Sequence, residues 1–270
     1  MVEFRCNLCG AYNSLSDPLK KHRELLNCVG CGSSARFRGV VHAIQRELLG
    51  DQLGAVFRSA IERRKVTGIG FSDSDIYAGE LARIFSYTNT FYHMDPVLDI
   101  MSTESVAKYQ AVDFVVCSDV LEHVPPPAIT AFQNLRKLVR TGGVLILTVP
   151  YLEGYETIEH YPHLYKWKTV KLDDGYHVVL NLRRGDLSRP NRAPYVECFT
   201  RPEFHGGPGE VLEMRLYGEG DLRARLAYAG FSSVEAIEAN LPDIGYVWNY
   251  TAERPEFHGR GGKSCVMVCR

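Results

Sequence analysis

The 270 residues are 45% hydrophobic and 23% charged, with 24 Gly, 13 Pro, 8 Cys and a net charge of -1. That balance excludes a disordered chain and a disulfide scaffold, and no uncharged apolar run reaches the roughly 18 residues of a membrane span. Glu3 and Arg5 interrupt the place where a signal peptide carries its apolar core, so a cytoplasmic, non-membrane protein is expected. The charge is uneven, +5 over residues 1–65 and -6 over residues 66–270. This is too weak a basic bias for a dedicated nucleic-acid binder.

Four cysteines open the chain as Cys6-Asn-Leu-Cys9-Gly and Cys28-Val-Gly-Cys31-Gly. Two CxxC turns separated by 18 residues match zinc-ribbon spacing, and the glycine after each pair allows the tight backbone such a turn needs. Cys6, Cys9, Cys28 and Cys31 are therefore the expected ligands of a closed, structural Zn site, with His22 as a substitute ligand. Cys117, Cys198, Cys265 and Cys269 are expected as buried or half-buried thiols.

From Ser33 the period becomes helical through Phe37, Val40, Val41, Ile44 and Leu48, stopping at Gly50, and a shorter helix is expected over Val56 to Ile61. Val66 to Gly70 reads as a buried strand, followed by the small-residue turn Phe71 to Asp75 and a helix through Leu81 and Phe85. This is the opening of a Rossmann-like fold. The next expected strand, Thr90 to Asp95, ends in an acid suited to ribose hydroxyls. Ala111 to Ser118 is a parallel-strand apolar run. After Pro125-Pro126-Pro127 comes a helix through Ile129 to Val139, stopped by Thr141-Gly142-Gly143, and then a strand over Val144 to Pro150.

The segment Asp113-Phe114-Val115-Val116-Cys117-Ser118-Asp119-Val120-Leu121-Glu122-His123-Val124, with the Gly-Gly turn and the strand ending in Pro, resembles class I S-adenosylmethionine-dependent methyltransferases of the type 11-like kind. The resemblance covers residues 66–150 and resumes over Asp221 to Ile237 and Ser264 to Cys269. It departs at Gly68, where the family has an acid, and at Ser72 and Ser74, where it has glycines. It implies an α/β, Rossmann-like doubly wound sheet of seven strands with a small N-terminal zinc ribbon and an acceptor-site insertion. The implied organisation is 1–32 ribbon, 33–65 linking helices and 66–270 methyltransferase domain with insertion 151–215.

The implied cofactor is S-adenosyl-L-methionine, contacted by Gly68, Gly70, Ser72, Asp95, Asp99, Ser118 and Asp119. Glu122 and His123 are either capping residues or participants in catalysis. Within the insertion, Trp167 to Leu172 and Tyr176 to Leu182 flank Asp173-Asp174-Gly175 as a hairpin. His205 is the first candidate for a general base and His163 the second, because neutral imidazole accepts a proton near pH 7; His160 is a further loop histidine, and a metal site among these histidines is an open alternative. The expected reaction is O-methylation of a small-molecule or glycan-type acceptor. Two alternatives stay open: an RNA methyltransferase gripping phosphates through Lys20, Lys21, Arg36 and Arg38, and a non-catalytic partner subunit. Oligomeric state is not legible.

Overall fold

A computed structural model describes residues 2–15, 23–50, 56–63, 65–183, 195–205, 211–248 and 261–270. The chain begins with the hairpin β1 (Val2–Arg5) and β2 (Tyr12–Leu15), then α1 (Ala35–Leu48), which Ser34 caps by accepting from the Phe37 N–H. The helix expected over Val56 to Ile61 is only a 3-10 turn, Phe57–Ser59. Next come β3 (Thr67–Phe71), α2 (Asp75–Ile84, capped by Ser74), β4 (Ser86–Thr90) and the short α3 (Thr103–Val106). They are followed by β5 (Val112–Ser118), the 3-10 turn Leu121–His123, α4 (Ile129–Leu138) and β6 (Val139–Thr148).

The insertion holds β7 (Tyr151–Leu152), β8 (Ile158–Glu159), β9 (Lys166–Lys171), β10 (His177–Arg183), β11 (Tyr195–Phe199), β12 (Phe204–His205) and β13 (Val211–Leu212). The chain closes with β14 (Arg215–Gly218), α5 (Glu219–Ala229), β15 (Val234–Ala236), β16 (Gly262–Lys263) and β17 (Met267–Cys269). The hairpin expected about Asp173-Asp174-Gly175 forms between β9 and β10, with Gly175 at φ +87.

The central sheet has the order β15-β17-β6-β5-β3-β4. β4, β3, β5 and β6 are parallel, and β17 runs antiparallel between β6 and β15. This is a doubly wound α/β sheet, and the winding reverses between β3 and β5. It has six strands among the described residues rather than the expected seven. Between β4 and β5 the chain makes only an isolated bridge, Phe91 to Val97, and the single turn α3.

Strand alternation divides the core. Ile69, Val115, Cys117, Leu145, Leu147, Met267 and Cys269 face the layer of α4 and α5, packing with Phe132, Leu135, Leu222 and Leu226. Their neighbours Phe114, Val116, Val144, Ile146, Val266 and Val268 face α1 and α2, packing with Val40, Ile44, Leu81 and Ile84. The same second layer takes in Phe4, Cys6, Leu8, Leu26 and Cys28, so the cysteine-bearing segment shares a core with the sheet.

Three local expectations shift. The strand expected at Thr90 to Asp95 lies earlier, at Ser86–Thr90; it is an edge strand whose Ser86 and Thr88 are exposed, so no apolar run marks it. Gly142 and Gly143 do not stop α4 but lie inside β6, beside a register shift opposite Val112 and Phe114. Gly142 has φ +74, and a side chain at Gly143 would meet the Asp113 carbonyl, so both glycines serve the bulge. Cys198, expected to be at least half-buried, is exposed on β11. No helix among the described residues is long and apolar enough to cross a membrane.

Candidate functional site

The four N-terminal cysteines converge. Cys6 Sγ lies 3.8 Å from Cys31 Sγ, Cys9 Sγ lies 3.6 Å from Cys28 Sγ, and all four sulfurs fall within 4.8 Å of one another. Four thiolates about a tetrahedral ion with bonds of about 2.3 Å stand about 3.8 Å apart, so the set fits zinc. The two turns repeat one design: Gly10 N–H donates to the Cys6 carbonyl and Gly32 N–H to the Cys28 carbonyl, with φ +84 and +74. Gly30 N–H and the Asn13 amide donate to Cys28 Sγ. Burial opposes ionisation of Cys28, but these donors outweigh it and bring the thiol down to about 6. His22 lies outside the described residues.

Behind the cysteines, Arg38 is fully buried on α1. Its guanidinium donates to the carbonyls of Ser33, Leu26 (3.0 Å), Ile244 (2.6 Å) and Gly245 (2.8 Å), and sits 4.3 Å over the Phe4 ring. Burial pulls it down to about 10, while the neighbouring thiols act to keep it charged. Arg36 reaches the other way, donating to Glu24 at 2.5 Å and to Ser118 Oγ at 2.6 Å. Neither arginine is disposed to grip phosphates as the RNA alternative expects, and Lys20 and Lys21 lie outside the described residues.

The sheet's reversal point is built from the ends of β3 and β5. Asp119, at φ +55 just past β5, takes a two-pronged pair from Arg23 at 2.9 and 2.7 Å, and Arg36 lies 3.4 Å away. Arg23, 2% exposed, also donates to Ser264 Oγ, and Thr148 donates to Asp119 while sharing a hydrogen bond with Ser118. Burial opposes the Asp119 charge, but the two guanidinium groups outweigh it and hold the carboxyl well below the usual range.

On the β3 side, Gly70 is covered. A Cβ there would collide with Tyr87 Oη and Asp73 Oδ2, and Asp73 itself accepts from Tyr77 Oη (2.6 Å) and Tyr87 Oη. Burial pushes Asp73 up to about 6, partly offset by the two tyrosines.

The other residues expected at a cofactor site are spread out. Gly68 lies flat against the Phe114 ring. Ser72, at φ +53, is exposed, and its N–H donates to the Thr90 carbonyl. Asp95 is exposed on the loop after β4. Asp99 accepts from the Met101 N–H, and its own N–H donates to Ser105, which fixes the entry to α3. The structure thus brings Ser118 and Asp119 together across the reversal point from Gly70, while Gly68, Ser72, Asp95 and Asp99 stand apart from them.

Two residues beyond Asp119 begins the turn Leu121–His123. Here Glu122, 1% exposed, and His123 meet residues from the insertion. His205 Nδ1 lies 3.1 Å from His123 Nε2 and 3.4 Å from Glu122 Oε1, and its Nε2 lies 3.7 Å from Glu213 Oε2. His160 Nε2 lies 3.2 Å from Glu213 Oε1. Burial disfavours charging His205, but Glu122 and Glu213 outweigh it and raise the imidazole above its ordinary value.

Arg215 locks this junction. It is fully buried, contacts both oxygens of Glu159 (2.9 and 3.0 Å), and donates to the carbonyls of Leu121 and Val124. His163 is exposed and stands outside the cluster, engaged through its carbonyl with the Asn181 amide. The glycine-rich stretch after His205 lies outside the described residues. Arg23, Asp73, Glu213 and Arg215 carry no sequence signal that marks them; Glu122-His123 does, as a dipeptide of the motif segment.

No protein-family model and no curated protein matches the chain. Among solved structures, a S-adenosylmethionine-dependent methyltransferase from Clostridium acetobutylicum overlaps 86% of this chain and 90% of its own, at 11% identity and a TM-score of 0.43. The N-terminal domain of EvdMO1, solved with SAH and D-fucose, overlaps 87% and 80%, at 14% identity and 0.42. The sugar N-methyltransferase KedS8 from a Streptoalloteichus species overlaps 96% and 97%, at 14% identity and 0.40.

Proposed function

We propose that the chain is a methyltransferase that uses S-adenosylmethionine to methylate a hydroxyl of a small-molecule or glycan-type acceptor, and that Cys6, Cys9, Cys28 and Cys31 hold a structural zinc ion. One observation carries the reading. At the reversal point of a doubly wound sheet, Asp119, paired with Arg23 and close to Arg36, sits two residues from a turn that opens onto a half-buried histidine–carboxylate cluster. Such a point is where this sheet type binds ligands.

The charges match the methionine end of the cofactor in kind, arginine for a carboxylate and Asp119 for an ammonium. In this structure they are paired with one another, so the cofactor would have to open that pair. Ser118 and Thr148, which share a hydrogen bond, hold the Asp119 carboxylate in place. When bound, the cofactor supplies an already activated methyl group, so the chain's task is alignment, exclusion of water and removal of the acceptor's proton. The acceptor enters from the insertion, whose β12 and the segment after β13 bring His205 and Glu213 to the Glu122–His123 turn. The proton leaves to that cluster, with His205 its first contact.

Seating the cofactor against Gly70 requires the Asp73–Tyr87 pair to turn aside. That pair, together with the glycine at position 68 where the resembled family has an acid, favours the second reading, a non-catalytic partner subunit with a closed crevice. Calorimetric titration with S-adenosylmethionine separates the two: micromolar binding, lost in Asp119→Ala, supports the enzyme, and no heat at millimolar ligand supports the partner subunit.

A further inference from the structure

The turn at Glu122–His123 and the strand at His205 place three electron-pair donors around one point. His123 Nδ1 lies 2.7 Å from the Leu212 carbonyl, an acceptor, so the proton of the neutral ring sits on Nδ1 and Nε2 carries a lone pair. The Glu213 carboxylate, with Oε2 at 3.7 Å from His205 Nε2 and outside hydrogen-bond reach, favours a proton on that nitrogen by its charge, which directs the Nδ1 lone pair inward. The two inward nitrogens stand 3.1 Å apart, and Glu122 Oε1 lies 3.4 and 3.8 Å from them. Glu122 is 1% exposed, and neither of its carboxylate oxygens makes a hydrogen bond among the described residues. Two lone pairs aimed at a carboxylate that is itself out of reach of water call for positive charge between them, although the two rings are 17% and 21% exposed.

We propose that Glu122, His123 and His205 bind a divalent first-row transition-metal ion, separate from the cysteine site. Metal–nitrogen and metal–oxygen bonds of about 2.1 Å set donors about 3.0 to 3.4 Å apart, the range in which two of the three separations fall, with Glu122 to His123 a few tenths of an ångström longer. Two imidazoles and one carboxylate form a borderline donor set that favours such ions over calcium or magnesium. The outer nitrogen of His123 has the kind of acceptor that ligating histidines receive in metal sites, the Leu212 carbonyl, and the Glu213 carboxylate stands 3.7 Å from the outer nitrogen of His205. Arg215 and Tyr217 fix the turn by donating to the carbonyls of Leu121 and Val124, so the donor geometry is set in advance of binding. With the ion bound, His205 has no lone pair left for a proton, so the ion would acidify the acceptor hydroxyl in place of His205 acting as base; that use rests on the methyltransferase reading. The site itself does not.

The test uses the full chain with its cysteine site filled with zinc, titrated with cobalt(II) in the absence of any cofactor. The expected result is one cobalt per chain, with visible ligand-field bands and no thiolate-to-cobalt charge transfer. Glu122→Gln and His205→Ala should each weaken binding at least a hundredfold, and Glu213→Gln ten- to a hundredfold. Cobalt that gives thiolate charge-transfer absorption only, binding unchanged in Glu122→Gln and His205→Ala, or no uptake at all, overturns the proposal. The last outcome would mean that a proton alone bridges the two rings. Far-UV circular dichroism and retained ribbon zinc confirm that each variant is folded. A chain that binds cobalt but not S-adenosylmethionine keeps this site and loses the function proposed above.

Discussion

The cysteine cluster and the glutamate–histidine cluster both gather metal-capable donors into a small buried volume, yet they are assembled by opposite means. The cysteines come from two short turns within 26 positions, and each turn is closed by its own glycine. Glu122 and His123 meet His205 across 82 positions, and the contact exists only because the insertion folds back on the end of β5. With zinc bound as proposed, the first cluster would hold the N-terminal segment in its fold. The second is carried by a fold already made, so its donors are free to serve chemistry.

The comparison can be broken most forcefully at the cysteines. Stripping zinc with a strong chelator should remove on the order of 10 kcal/mol of metal-linked folding free energy, and Cys28→Ser should behave alike. Calorimetric melting would show a large fall in midpoint, because Cys6 and Cys28 belong to the same core layer as α1. A chain that melts unchanged without metal would place the ribbon's stability elsewhere.

Arg215→Ala should come next, costing about 3–5 kcal/mol by leaving buried carbonyls and Glu159 without their partner. Urea denaturation measures it, and Arg215→Lys should recover only part, since one ammonium cannot span both partners.

Asp73 belongs to neither cluster and is buried against Gly70. Its folded value of about 6 exceeds that of the unfolded chain, so the stability it contributes is present below about pH 4 and is lost as pH rises through 6. The groups facing it are Tyr77 from α2, Tyr87 from β4 and the charge of Arg36. Stability curves at pH 4 and 7 should differ by about 2–3 kcal/mol from this group, and Asp73→Asn should remove that difference.

Glu122→Gln should change folding stability by no more than about 1 kcal/mol, since it trades a buried charge for a neutral isostere, while the cluster's chemistry is lost. His163→Ala, at an exposed position outside the cluster, should move neither stability nor turnover by more than about 0.5 kcal/mol. A large effect of the latter would return His163 to the site.

Legibility followed sequence distance. The cysteine turns, α1 from its helical period, the apolar β5 and the β9–β10 hairpin were readable because each is defined by residues a few positions apart. β4 was misplaced because an edge strand of sequence Ser-Tyr-Thr-Asn-Thr shows no buried run. The donors around His205 were only half readable. Glu122-His123 stands in a recognisable segment, but nothing in the residues near His205 says which turn it will meet. Arg36 and Arg38 read as exposed basic residues, and packing turned both inward, one to Ser118 and the other to four backbone carbonyls.

Gly68 constrains the chain's evolutionary options. A Cβ at this position would strike the ring of Phe114 on the neighbouring strand. A single codon change that put an acid here would force the buried Phe114 ring to shift, so glycine and phenylalanine are coupled. An acid at position 68 calls for a smaller residue at position 114, which on its own would leave a hole in the α1–α2 layer. Homologues of this chain should therefore vary at the two positions together.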